Sequence, residues 1–286
     1  MRVLVLALAL VACSGSPSEV VDHSDSDVDS AVSDSPMDVA PEVAGPDAPR
    51  ILSAFFGLDD ALPAAVDFIC PGGAGRDGMP VVFSRRVSGT PAASAFRVTT
   101  RSGATHTPVC ATLAPAVGAT ERHTVLLGGD FGGEPADPPV RIEIVESMPL
   151  EGGGDARGLT ADVTPLSAGP ALVLAMRYLP TELKTACPAS TRQLVQVTWN
   201  GGVSVLGGAD VGDAQRLRMH VVVARDGGTA EITPEALADL GDNDNYMHLC
   251  LSTDESPLAV RVEASTFVDP RGDLNAETRL DLTETR

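Results

Sequence analysis

The sequence predicts an all-β protein with two tandem β-sandwich domains, which follow a disordered acidic linker. The chain of 286 residues contains 28 Gly and 22 Pro, and this content disfavours long helices and favours short strands joined by turns. Several short segments alternate apolar and polar residues, as Leu194–Trp199 does, and this period of two is typical of strands with one buried face. Together these observations favour sandwiches over an α/β enzyme fold.

Strand signals divide the folded part into two domains. We predict the first domain over residues 51–150, with strands at Ile51–Phe56, Pro80–Ser84, Ala95–Thr100, His123–Leu127 and Val140–Glu146. After a glycine-rich run, a second domain over residues 155–286 has strand signals at Ala171–Tyr178, Gln193–Trp199, Leu217–Val223, Ala230–Ile232, Tyr246–Leu251, Ala259–Glu263 and Arg279–Leu282. Thr233–Gly241 predicts one short helix, because Thr can cap its start, Pro suits the first turn and Gly ends it.

The N-terminus has the pattern of an export signal. Arg2 precedes an apolar run from Val3 to Ala12, which as a helix would rise about 15 Å and is too short to span a bilayer. The run ends in Leu10-Val11-Ala12-Cys13, which resembles the lipobox of bacterial lipoprotein precursors. That resemblance implies removal of residues 1–12 as a signal peptide, thioether lipidation of Cys13 and acylation of the new N-terminus by a fatty acid such as palmitate. The alternative is an ordinary secretory signal in which Cys13 is incidental.

An acylated Cys13 would hold the protein on a lipid bilayer, since several acyl chains anchor stably where one is marginal. Ser14 follows the cysteine where Asp would imply inner-membrane retention, so the lipobox resemblance favours the outer membrane of the cell envelope. We predict residues 13–50 as a disordered linker. Residues 14–50 hold nine acidic residues, one basic residue and no aromatic residue, so they cannot bury enough apolar surface to offset the entropy of ordering.

The cysteine count agrees with export. The chain has five cysteines, and an odd number would leave one thiol over in an oxidising compartment. If lipid occupies Cys13, the other four can close two disulfides. Three pairings are possible, and we prefer the one that places a bridge in each domain, Cys70–Cys110 and Cys187–Cys250. Zinc binding is not expected, because no two cysteines have a C-x-x-C or similar spacing.

Two strand segments of the first domain carry a further resemblance. Met79–Val87 is an apolar strand that ends in Phe-Ser and has Val three residues later, and Phe96–Gly103 has Phe and Val before a glycine turn. Over about 50 residues this pattern resembles bacterial immunoglobulin-like (Ig-like) domains, although the chain departs from them in carrying Cys70 and Cys110. The resemblance implies a spacer or adhesion-type sandwich without catalytic residues.

The charge of the chain limits its partners. Lys and Arg number 20 against 39 Asp and Glu, for a formal net charge of −19. Such a surface repels phosphate backbones, so nucleic acid is not an expected partner. We expect the lipid bilayer, reached through acylated Cys13, and a protein or polysaccharide ligand whose identity the sequence does not specify.

No resident cofactor is expected, and calcium is the one ion that the sequence suggests. Two loops of the second domain concentrate carboxylate and amide oxygens, the ligands that Ca²⁺ takes: the candidate residues are Asp242, Asp244, Asn245, Asp269, Asp273 and Asn275. The leading interpretation is that these side chains instead bond their own backbone in turns. A third interpretation makes Asp242 and Asp244 the acid/base pair of a hydrolase that acts on envelope polymers.

Catalytic motifs are scarce. The sequence has no H-E-x-x-H or G-x-S-x-G motif, although a triad assembled from distant residues is not excluded by that. Trp199 is either an exposed platform for a sugar ring or, as we expect at the end of an alternating strand, a core aromatic. We therefore predict an anchored, exported lipoprotein with a non-catalytic binding, adhesion or envelope-structural role, with the hydrolase and a Ca²⁺-stabilised binding module as alternatives.

Overall fold

The computed structural model describes residues 48–241 and 244–283. Cys13, the signal peptide and nearly all of the predicted linker lie outside these residues. The first half contains eight strands: β1 (Ile51–Ala54), β2 (Asp77–Phe83), β3 (Phe96–Thr100), β4 (Thr105–His106), β5 (Cys110–Thr112), β6 (Thr124–Gly129), β7 (Pro139–Ile144) and β8 (Thr160–Asp162). Two 3₁₀ helices accompany them, Ala64–Phe68 and Ala93–Ala95.

These strands form two antiparallel sheets, in the orders β1-β2-β6-β5 and β4-β3-β7-β8. Both sheets contribute to one core, in which Phe83 and Leu127 from the first sheet lie with Ile142 from the second. Every second residue of a strand points to the same face, so the alternation seen in the sequence supplies this shared core. The first half is therefore a β-sandwich.

The second half repeats the arrangement. Its strands are β9 (Leu172–Tyr178), β10 (Gln193–Trp199), β11 (Met219–Arg225), β12 (Gly228–Ile232), β13 (Ala236–Ala238), β14 (Tyr246–Leu251), β15 (Pro257–Val262) and β16 (Thr278–Asp281), with a single turn of helix, α1, at Asp213–Arg216. The sheets have the orders β9-β10-β14-β13 and β12-β11-β15-β16. They enclose a second core around Trp199, whose ring packs edge-on against Phe267 at a centroid distance of 5.1 Å.

Both halves have the strand order of the immunoglobulin fold. Lettered A to G along the chain, with C′ after C, each half pairs A-B-E-D in one sheet and C′-C-F-G in the other. In the first half, an isolated parallel bridge joins Phe55, which follows β1, to Thr164. In the second half, a parallel bridge joins Met176 of β9 to Thr283. The sequence shows no repeat of fixed period, so the likeness between the halves is one of topology.

The first sandwich extends past residue 150, where the sequence-based division ends it. β8 pairs with β7, and Ala156, Val163 and Leu166 belong to the first core. Residues 151–155 (EGGGD) form a turn within this sandwich, because Asp155 bonds back to Ser147 and Met148. The glycine-rich run therefore connects two strands of one sandwich.

The predicted helix at Thr233–Gly241 is wrong. Ala236–Ala238 is strand β13, and it pairs with Cys250, Leu249 and His248 of β14. A helix of two turns has little stability of its own, whereas these residues gain ladder hydrogen bonds at the edge of a formed sheet.

The two disulfides are Cys70–Cys110 and Cys187–Cys250, as predicted. Each joins the connection between the first two strands of a sandwich to a strand of the same sandwich, β5 in the first and β14 in the second. This differs from antibody domains, in which the bridge joins strands B and F. Within the described ranges, no helix is long and apolar enough to cross a membrane.

Candidate functional site

A cleft of about 520 Å³ lies at the junction of the two sandwiches. Its volume falls in the range of small-molecule sites, about 300–1,000 Å³. The first sandwich supplies most of its lining, and the second closes one side. The lining includes Phe55, Leu62, Ala65, Val66, Thr124 and Leu126 from the first sandwich and Gly201, Gly202, Asp244, Asn245 and Pro270 from the second.

The apolar wall is built on the connection between β1 and β2. Pro63 precedes the 3₁₀ helix Ala64–Phe68, and the helix buries Val66. Leu62 and Val66 pack against the Cys70–Cys110 bridge in a small cluster of their own. The backbone of Leu62 donates to Arg76 and accepts from Gly75. The wall is therefore held by a covalent bond and by hydrogen bonds to the residues just before β2, which gives a loop the rigidity that a preformed pocket needs.

The opposite wall consists of loops from one end of the second sandwich. Gly201 and Gly202 follow β10, Asp244 and Asn245 precede β14, and Pro270 lies between β15 and β16. Asn245 anchors two of these loops, because its Nδ2 donates to the Trp199 carbonyl and its own carbonyl accepts the Trp199 N–H. In the immunoglobulin fold, loops at the ends of the sandwich are where ligands are commonly bound.

Gly201 lets the two walls approach each other. A Cβ on Gly201 would lie 2.8 Å from the Phe55 ring, which is too short for a real side chain. Within the first sandwich, a Cβ on Gly78 would lie 3.0 Å from the Leu62 side chain, so Gly78 lets Leu62 pack closely on β2. Gly202 differs, because a Cβ there meets no atom within 4 Å.

The polar end of the cleft contains Thr124, Asp244 and Asn245. Of the described residues that line the cleft, Asp244 is the only ionisable one. Its Oδ1 accepts the Tyr246 N–H at 2.8 Å, which fixes the carboxylate at the start of β14. The site therefore combines a large apolar surface with one negative charge.

Polar contacts beside the cleft join the two sandwiches. The Tyr246 hydroxyl donates to the Glu121 carbonyl and lies 3.0 Å from the Thr124 hydroxyl. Burial raises the pKa of Tyr246, so the hydroxyl keeps its proton and can donate. Gln196 Nε2 lies 3.0 Å from the Thr120 hydroxyl, further along the same contact.

Tyr246→Phe is expected to lower the free energy of unfolding by about 1–2 kcal/mol, because it removes both hydroxyl contacts from a buried position. Urea unfolding measures the change. Tyr178→Phe is the matched control, since the Tyr178 hydroxyl contacts only the Met176 sulfur, at 3.6 Å, among the hydrogen bonds described. An equal loss in the two variants would contradict the role given to the contact between sandwiches.

The predicted calcium residues are distributed over two loops at the cleft edge. Asp242 lies outside the described residues, while Asp244 and Asn245 line the cleft. Asp269 precedes the lining residue Pro270, and its Oδ1 accepts N–H groups of Arg271 and Asp273; burial raises its pKa.

Asn275 closes the second loop. Its Oδ1 accepts N–H groups of Thr266 and Phe267, and its Nδ2 donates to the carbonyls of Glu263 and Ala276. These are the backbone-bonding roles of the leading interpretation. The binding of calcium by this set stays a prediction.

One acidic cluster was not predicted. Carboxylate oxygens of Asp59, Asp60 and Asp77 lie within 4.8 Å of one another. The Asp77 carboxylate accepts the N–H groups of Asp60 and Phe131, and burial, with the charges of Asp59 and Asp60, raises its pKa. Asp77 thus holds a turn in place. The sequence gives no signal of the cluster, because Asp77 lies in a strand far along the chain from the Asp59-Asp60 pair.

A buried histidine was also missed. His248 Nδ1 lies 3.2 Å from the Thr185 hydroxyl, and Nε2 lies 3.3 Å from an Asp239 oxygen and 3.1 Å from Gln196 Nε2. The order hydroxyl, imidazole, carboxylate is that of a catalytic triad. The imidazole is 1% exposed and Gln196 continues the network to Thr120, so the geometry fits a polar contact between the sandwiches.

Trp199 is a core residue, as expected, and its buried ring is not a platform for a sugar. No family model matches the chain, and searches of curated proteins and of solved structures also found no match.

Proposed function

We propose that the protein is an exported lipoprotein, anchored in the cell envelope through Cys13, whose two sandwiches have a non-catalytic binding role. Four of the five cysteines of the chain are paired as disulfides. Disulfides persist in oxidising compartments outside the cytoplasm. Cys13, in its lipobox-like context, is the fifth cysteine. The proposal rests on this observation, that two disulfides account for every cysteine except Cys13.

The cleft supports the binding role. A largely apolar pocket between two domains, with a few polar groups at one end, is the usual form of a ligand site. Its lining fits an apolar ligand better than a polysaccharide, whose hydroxyl groups need many polar partners. The acidic linker would hold this site away from the bilayer surface, since charge repulsion extends such segments.

Cys13→Ala is expected to move the protein from the membrane fraction to the soluble fraction, because it removes the thiol that would carry the lipid. Fractionation of cells with a high-salt wash, together with metabolic labelling by a radioactive fatty acid, measures the change. Ser16→Ala leaves the lipobox intact and is expected to keep both the label and the membrane association. Retention of the Cys13→Ala protein on the membrane, or an unlabelled wild-type protein, would contradict the anchor.

A further inference from the structure

We propose that the protein cuts its own backbone at the Asp269–Pro270 bond, with the Asp269 carboxyl as the nucleophile and the Gly272 N–H as the donor that polarises the carbonyl under attack. The bond lies in the loop between β15 and β16, which supplies Pro270 to the cleft. This reaction goes beyond the proposed binding role, and it depends neither on that role nor on the anchor at Cys13.

The Asp269 carboxyl is buried, and only one of its two oxygens is hydrogen-bonded. The residue is 1% exposed, and its Oδ1 accepts the N–H groups of Arg271 and Asp273 at 2.9 and 2.8 Å. Its Oδ2 is shielded from water and has no hydrogen-bond partner among the described residues. Burial, together with the negative charge of Asp273, raises the pKa of this carboxyl. The acid therefore keeps its proton more readily than an exposed aspartate does, and one oxygen is left to react.

The loop holds the carbonyl under attack in place. The Asp269 carbonyl accepts the Gly272 N–H at 3.0 Å, and the Asp269 N–H donates to the Asp273 carbonyl at 3.1 Å. At the base of the loop, Val268 is bridged to Leu274. A donor on a carbonyl oxygen stabilises the negative charge that grows there when a nucleophile adds. Fixing both reacting groups in one loop also removes the entropy cost of bringing them together.

The proline at position 270 determines which bond breaks. Its nitrogen carries no hydrogen, so it cannot attack the side chain as the backbone N–H of another residue could. In the proposed step, Oδ2 attacks the backbone carbonyl carbon of Asp269, and the new C–O bond closes a five-membered anhydride. The bond from that carbon to the Pro270 nitrogen breaks, and its electron pair stays on the nitrogen. The nitrogen takes the carboxyl proton and leaves as a secondary amine.

Water completes the reaction. One water molecule adds to the anhydride and opens it, so that Asp269 becomes a chain end with two carboxyl groups. The sum is the hydrolysis of one peptide bond by one water molecule, and it needs no other reactant. Because Pro270 lines the cleft, water can reach the bond from there.

Cleavage would produce a nicked protein whose two parts stay together. Residues 270–286 follow the bond, and β16 within them pairs with β15 through four residue pairs. Asn275 also bonds across the cut, because its Oδ1 accepts the N–H groups of Thr266 and Phe267. The two new chain ends would lie at the edge of the cleft, so the cut would free one loop of its second wall.

A second Asp–Pro bond in the chain provides an internal comparison. Asp137 precedes Pro138, but both of its carboxylate oxygens are engaged. Oδ1 accepts the Ser102 N–H, and Oδ2 accepts the hydroxyl groups of Thr100 and Ser102. These hydrogen bonds lower the pKa of Asp137, so its carboxylate stays ionised. The same pair of residues therefore occurs once in a reactive setting and once in an unreactive one.

The test follows both bonds in one experiment. The full chain with Cys13→Ala is incubated at pH 5.5 and 37 °C, folded or in 6 M guanidinium chloride, and mass spectrometry measures the fragments. Neither disulfide spans either bond, so each cut releases separate pieces under denaturing conditions. In the folded chain we expect cleavage after Asp269 to be at least about ten-fold faster than after Asp137.

Unfolding should remove the difference. In guanidinium chloride both carboxyls are ordinary side chains, so we expect the two rates to agree within about three-fold. A rate after Asp269 that is no higher than the rate after Asp137 in the folded chain would overturn the proposal. A preference for Asp269 that persists unchanged in the unfolded chain would overturn it as well, because the folded loop would then have no part in the reaction.

Two matched variants identify the nucleophile. Asp269→Asn keeps an oxygen that can accept the N–H groups of Arg271 and Asp273 but removes the acid, and we expect the cut after position 269 to slow at least about ten-fold. Asp137→Asn makes the same change at the other Asp–Pro bond and should leave the cut after Asp269 unchanged. Circular dichroism verifies that each variant folds, and the comparison of the two bonds in the parent chain stands without them. Asp269→Asn cleaved at the parent rate, or a rate constant that rises with protein concentration as a contaminating protease would give, would contradict self-cleavage.

Discussion

Replacing Cys70 and Cys110 together with alanine is expected to lower the free energy of unfolding by about 4 kcal/mol and to speed hydrogen exchange at the N–H groups of Leu62 and Val66 in the cleft wall. The bridge closes a loop with a sequence separation of 40 residues, and the chain-entropy model gives a loss of this size when such a loop is opened in the unfolded state. The bridge also fixes the 3₁₀ helix Ala64–Phe68, whose residue Val66 forms part of the cleft wall.

The second disulfide provides the control. The Cys187–Cys250 bridge spans 63 residues, so its loss should lower stability by a similar amount, about 4 kcal/mol, but neither cysteine belongs to the cleft wall. Urea unfolding followed by circular dichroism gives both free energies, and native-state hydrogen exchange gives the protection of the Leu62 and Val66 N–H groups in both variants. If the two double variants lose that protection equally, the first bridge has no special role in the cleft wall.

The fold was largely predictable from the sequence because the central strands can be recognised from their hydrophobic pattern alone. β2, β3, β6 and β7 in the first sandwich, and β10, β11, β14 and β15 in the second, alternate or are continuously apolar, and each overlaps a predicted strand. The strands that sequence analysis missed are β4, β5, β8 and β13, which have two or three residues and lie at sheet edges. So few residues show no period, and these strands form only because a neighbouring strand offers hydrogen bonds.

The cleft was only partly predictable. Asp244 and Asn245 stood out in the sequence as part of a loop rich in Asp and Asn, and the structure places them at the polar end of the cleft. The apolar wall did not stand out, because Leu62 and Val66 lie in a long connection without periodicity and resemble ordinary loop residues in the sequence. Leu62, Val66 and Gly201 line one cleft only because of the way one sandwich packs on the other, and local sequence patterns do not encode that packing.

Lowering the pH from 7.5 to 4.5 is expected to lower the free energy of unfolding by about 2.5 kcal/mol through His123 alone. The imidazole is 3% exposed. Its Nδ1 donates to the Phe83 carbonyl, and its Nε2 has no hydrogen-bond partner in the part of the chain that the structure describes. Burial, helped by the charge of Arg86, lowers the pKa of His123 from 6.5 to about 4.

The direction follows from which state takes up the proton first. Below pH 6.5 the unfolded chain protonates this histidine while the folded protein holds it neutral, so stability is highest above pH 6.5 and falls until the folded form also protonates, near pH 4. His123→Asn keeps a donor near the position of Nδ1 and is expected to remove this part of the pH dependence. Urea unfolding at pH 7.5, 6.0 and 4.5 measures it, and His106→Asn, in edge strand β4, is expected to retain the wild-type slope.

Acid should act on the junction of the sandwiches as well, because His123 directly precedes Thr124. Thr124 lines the cleft and contacts the Tyr246 hydroxyl across the junction. A proton on the buried imidazole cannot be accommodated without exposing it to water, and any such movement shifts Thr124. We therefore expect the loss of stability caused by Tyr246→Phe to shrink as the pH falls from 7.5 to 4, because the contact that this variant removes is already weakened in acid. Urea unfolding of both proteins at the two pH values measures it, and the same shrinkage in a His123→Asn background would assign the acid effect to another group.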